Sequence, residues 1–200
     1  MGYNILYILL FANVVIAQSR FSFPKKETVN YSINYGIING GSASLTVNYH
    51  KNESNTYQIL GEGESNYIVD LFFPVKETYL TEINKKTLLP VYLYANILEG
   101  SFKKRQELNY FHTENVVQNI NGETYPLTDS SHNFLSAFFY YRHLIPNEIE
   151  ENYTLQIPLF IENIGHYMME VIFLKEEVVS TKFGDINCLK FMPKVLPGRI

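Results

Sequence analysis

By type, the residues best suited to acid–base or metal chemistry are the five histidines, and their spacing argues against both. His50, His112, His132, His143 and His166 lie far apart. No two are four residues apart with a Glu between them, the arrangement that brings two imidazoles of one helix face onto a zinc ion. Each alone reads as a surface or capping residue. No G-x-S-x-G elbow presents a serine nucleophile, and no Gly-rich loop of the P-loop kind is present. "GEGESN" at Gly61–Asn66 carries half of a dinucleotide fingerprint, but it lies inside a strand pattern and lacks the third glycine. Glu148, Glu150 and Glu151 make an acidic, solvated turn. Cys188 is the single cysteine. It cannot close an internal disulfide, and its apolar strand neighbours suit a buried thiol better than a reactive one. Carboxylates can still meet in space, but no local pattern calls for an enzyme, a metal or a cofactor.

One segment invites a binding role. "TDSSHNFLSAFFYYRHLIP" offers Asp129, Ser130 and Ser131 as helix N-cap candidates and places Phe134, Leu135, Phe138, Tyr141, Leu144 and Ile145 at spacings of three and four before Pro146. That pattern predicts an amphipathic helix of about four turns. Arg142 near its end suits the negative helix terminus, and its alternative use is to bind an anion. Phe134, Phe138, Tyr141 and Arg142 are therefore the candidate ligand-binding residues, set against the simpler expectation that the aromatic side chains are core.

The elements that would position this helix read as strands. In "TVNYSINYG", Val29, Tyr31, Ile33 and Tyr35 share one face, and in "SASLTVNYH" Ala43, Leu45, Val47 and Tyr49 do the same. This is the period-two pattern of half-buried strands, joined here as a hairpin through Gly36, Gly40 and Gly41. "TYQILGEGES" follows as a third strand in which Gly61 and Gly63 leave gaps on one face, a mark of a bend or of something packing close. "NYIVDLFF" is open between a helical turn and a short strand. "VKETYLTEI", "PVYLYANILEG", "SFKKRQELNYF" and "NVVQNI", with the turn signal Asn121–Gly122, continue a meander. "PVYLYANIL" is apolar on both faces and so should be covered on both. After the helix come "YTLQIPLFI", whose Pro158 points to an edge or a bulge, "HYMMEVIFLKEE" and "INCLKFMPKV". The predicted fold is mainly β, an antiparallel curled sheet or open barrel-like fold with one principal amphipathic helix packed on it.

The chain has 200 residues, 46% of them hydrophobic, and a net charge of −4, which suits one globular domain and leaves no basic footprint for nucleic acid. Residues Ile5 to Ala17, "ILYILLFANVVIA", precede "QSR" and a turn to polar composition. They predict a signal peptide over residues 1–17, with Val15 and Ala17 as the small residues before the cut, and a single β-rich domain over 18–200. A membrane anchor would need about 20 apolar residues, so the mature protein is not expected to be integral to a membrane.

"VNYSINYGIINGGSASLTV", "TEINKKTLLPVYLYANILEGSF", "DSSHNFLSAFFYYR" and "FGDINCLKFMPKVLPGRI" together resemble a family of exported bacterial proteins called domain of unknown function 3108. The matching positions are Tyr35, Gly36 and Gly41; Leu88, Pro90, Glu99 and Gly100; Ser136, Ala137, Tyr140 and Arg142; and Cys188 to Phe191, Pro193, Gly198 and Arg199. The resemblance implies an exported β-rich domain of a Gram-negative periplasm or envelope and no particular activity. It also implies further strands beyond Arg199, so the expectation is a domain short of its last strands, with an open sheet edge and weak stability. The functional expectation is a non-enzymatic envelope protein binding a lipid or other apolar or amphipathic ligand. The alternative is a scaffold or protein-interaction module.

Overall fold

The computed structural model describes residues 26–36, 38–49, 55–144, 149–150, 152–181 and 183–194. The segment read as a signal peptide, His50, Ile145, Pro146, Glu148, Glu151 and the closing residues 195–200 lie outside this set, as do the side chains of His143 and Leu144.

Eight strands form an antiparallel meander in sequence order: β1 (Lys26–Tyr35), β2 (Ile38–Tyr49), β3 (Thr56–Ser65), β4 (Val75–Asn84), β5 (Pro90–Glu99), β6 (Phe102–Phe111), β7 (Val116–Asn119) and β8 (Thr124–Pro126). A one-turn helix, α1 (Tyr67–Asp70), joins β3 to β4, which settles the open reading of "NYIVDLFF" as helical. After α2 (Phe134–Leu144), three more strands form a second antiparallel sheet in the order β11 (Gly184–Lys194), β10 (Gly165–Thr181), β9 (Thr154–Ile161). The fold is mainly β, as the alternation of side chains predicts. The large sheet does not close into a barrel, and the strands after the helix are a separate sheet rather than its continuation. Pro158 lies on β9, an edge of that sheet, where a missing N–H is tolerated.

The helix is the layer between the two sheets, and this corrects the prediction of a single apolar stripe. On one side Ala137 and Tyr141 pack with Ile157 and Leu159 of β9, Met169, Val171 and Phe173 of β10, and Phe191 of β11. On the other, Phe139 is fully buried against Val47, Ile59 and Ile83 of the large sheet. Phe134, placed inward by the spacing rule, is 47% exposed. "FLSAFFYYRHL" is apolar almost all round, which is the composition of a helix covered on opposite sides. Its described part, Phe134–Leu144, spans three turns.

A third cluster, Leu108, Tyr110, Val117 and Leu127 with Phe160, ties the β6–β8 end of the large sheet to β9. There the chain entering α2 adds a short parallel bridge: His132 donates its backbone N–H to Pro158 (2.8 Å), and Phe160 donates to His132 (2.9 Å).

Candidate functional site

The helix starts at Asn133, not at the Asp129, Ser130 or Ser131 that the sequence suggests. The Asn133 side chain accepts from Ser136 N (2.9 Å), and Ser136 Oγ accepts from Asn133 N (3.0 Å), a reciprocal capping box. The Asn133 amide also donates to Thr81 Oγ1 (2.8 Å), whose hydroxyl donates to the Tyr92 carbonyl (2.7 Å). This chain of bonds pins the helix start over β4 and β5. His132 is fully buried beside it, with Nδ1 3.2 Å from Ser136 Oγ and its ring stacked on Tyr140 at 4.5 Å. Burial pulls its pKa down to about 4, with the charge of His112 adding to the effect. Ser136 and His132 thus resemble a nucleophile and base in type alone. The serine hydroxyl is spent on the cap, and both residues are sealed from solvent.

The four candidate ligand residues do not converge on one pocket. Phe134 is exposed and Phe138 half-buried. Tyr141 is buried in the small-sheet core, edge-on to Phe191 at 4.8 Å, and its hydroxyl has no hydrogen-bond partner among the described residues. Arg142 reaches the large sheet, pairing with Glu27 of β1 at 3.2 Å and lying over the Phe139 ring. Cys188 is buried on β11, where burial and Glu177 push its thiol up, away from the thiolate form.

From Asn133 over β4 to Arg142 over β1, α2 crosses the large sheet and covers only part of one face. Leu135 lies against Gly61, its Cδ2 3.5 Å from where a Cβ would stand. Two residues further along β3 the described residues no longer cover it: a Cβ at Gly63 would meet none of them within 4 Å. Gly63 stands in register with Ala43 on one side and Glu77 on the other, and Ala43 with Tyr31. A groove of about 260 Å³ lies at this row across β1–β4; its lining also includes Ser42, Ser44, Lys76 and Thr78 of the adjoining registers, whose side chains alternate to the other face of the sheet. Burial, then a hydrogen bond and charge from Glu99, raise the Glu77 carboxyl above its ordinary range. Burial and Glu77 in turn push up the Tyr79 phenol. Tyr31 is raised by burial, against the pull of Arg142.

A family model described as a protein of unknown function, DUF3108, matches residues 30–199. The chain belongs to the DUF3108 family. No curated protein and no solved structure matches it. In this DUF3108 chain the sequence pattern missed Tyr31, Ala43 and Glu77 as a set, because strand register, not spacing, brings them together. Gly61 and Gly63 were the available signal. One gap is filled by Leu135, and the other is the floor of the groove.

Proposed function

We propose that this DUF3108 protein is a non-enzymatic exported protein of the Gram-negative cell envelope that binds an amphipathic ligand in the groove over β1–β4. The observation that carries the reading is the uncovered row Tyr31–Ala43–Gly63–Glu77, continuous with the helix-covered core yet open. Small residues at Ala43 and Gly63 leave room for an apolar body beside the Tyr31 ring. Glu77, on the same face and with its raised pKa, offers a hydrogen bond to a polar head. The apolar segment before Gln18 supports export. Binding rather than catalysis is favoured because the Ser136–His132 pair is consumed by the helix cap.

The test is gentle extraction of the protein from an envelope fraction followed by native mass spectrometry, beside the Gly63→Leu variant. A lipid-sized adduct on the wild type, absent from the variant, is the expected result. A bare mass for both, or an adduct indifferent to Gly63→Leu, would refute the reading.

A further inference from the structure

The end of the large sheet that carries α1 presents large apolar side chains to solvent. Tyr67 is 78% exposed, Ile68 64%, Leu71 63%, Phe72 86% and Phe73 54%. Phe102, the first residue of β6 at the same end, is 54% exposed. The segment is held firmly rather than trailing. Asn66 caps α1 through Ile68 N and Val69 N, both at 3.0 Å, and its own N–H and side chain donate to the carbonyls of Gly40 and Asn39 at the start of β2. The Phe73 ring lies over Gly100, so close that a Cβ there would be 2.6 Å away. A rigid base thus holds out a tip whose side chains point outward separately. Such a tip lacks the flat, half-buried face that a protein partner needs for shape complementarity, and a fluid apolar phase needs none.

The charges beside the tip fit the same medium. Asp70 is turned back onto the Ser65 hydroxyl, and Glu99 is hydrogen-bonded to Glu77. Lys76 and Lys103 flank Leu98 in register on the neighbouring strands, are exposed, and make no ion pair among the described residues. Glu64, in register with Lys76, is also exposed.

The geometry points to a membrane-docking surface: Tyr67, Ile68, Leu71 and Phe72 insert at the headgroup level of a phospholipid bilayer, and Lys76 and Lys103 contact its anionic headgroups. Apart from Lys76, which also borders the groove, this surface is separate from it and does not depend on the groove holding a ligand.

Sedimentation of the purified protein with large vesicles tests it, using phosphatidylcholine alone and phosphatidylcholine mixed with phosphatidylglycerol. The wild type is expected to partition onto the mixed vesicles. Leu71→Ser combined with Phe72→Ser should lower that partition by more than about tenfold, with an unchanged thermal melt because both side chains are mostly exposed. Lys76→Gln and Lys103→Gln should each cost about fivefold on mixed vesicles and nothing on phosphatidylcholine. Gly63→Leu should leave vesicle binding intact, which separates this surface from the groove. Absence of partition, partition insensitive to the tip variants, or tip-dependent self-association in place of vesicle binding would overturn the assignment.

Discussion

Gly61 and Gly63 sit two residues apart on one face of one strand, yet they belong to different regimes. Around Gly61 the face is closed: Leu135 fills the gap, and Phe139, Val47, Ile59 and Ile83 exclude water. Around Gly63 the same face is open, with Tyr31 and Glu77 half-buried and ionisable groups displaced from their ordinary pKa values. A helix that crosses a sheet obliquely cannot cover it evenly. Where cover ends, hydrophobic burial ceases to dictate residue type, and polar groups appear on positions that strand periodicity marks as inward.

The contrast can be broken most forcefully at Phe139. Phe139→Ala leaves a void in the closed half and is expected to cost about 3–5 kcal/mol, read by urea unfolding. His132 comes next. Its pKa falls to about 4 in the folded state from an ordinary value near 6.5, so its contribution is complete above pH 6.5 and is lost as pH falls toward 4. That loss amounts to about 3 kcal/mol, and His132→Phe should flatten the stability profile between those limits. The paired glycines sharpen the comparison directly. Gly61→Leu must displace Leu135 and should cost about 1–3 kcal/mol, whereas Gly63→Leu enters open space and should stay within about 0.5 kcal/mol of wild type. The smallest effect is at Glu77. Its raised pKa means that folding loses stability as pH climbs from the ordinary carboxylate range through the raised value. Glu77→Gln should therefore stabilise at neutral pH and confer no advantage in acid.

Alternation of side chains was enough to read β1–β7, the Asn121–Gly122 turn and the edge position of Pro158, because each depends on local chemistry. The helix was legible as a helix but not in its burial. A spacing rule assumes one apolar side, and Phe139, on the face opposite Tyr141, is explained only by a second sheet. The division into two sheets was not legible, since period two is the same whichever sheet a strand joins. Asn133 was overlooked as the cap because Asp129, Ser130 and Ser131 are equally good cap residues. What selects Asn133 is Thr81, some fifty residues away, which takes its amide proton. The groove was invisible for the same reason, as Tyr31, Ala43, Gly63 and Glu77 meet only through register.

Every strand pairing in both sheets joins neighbours in sequence, and the parallel bridge of His132 to Leu159 is the exception. Low contact order of this kind lets hairpins zip outward one after another, without waiting for distant segments to find each other. The consequence is an order of assembly. The eight-strand meander can pair as it leaves the ribosome, while β9 and β10 are still to come. In that order docking of α2 and the small sheet comes last, because the contacts that cover the meander's inner face are the ones most distant in sequence.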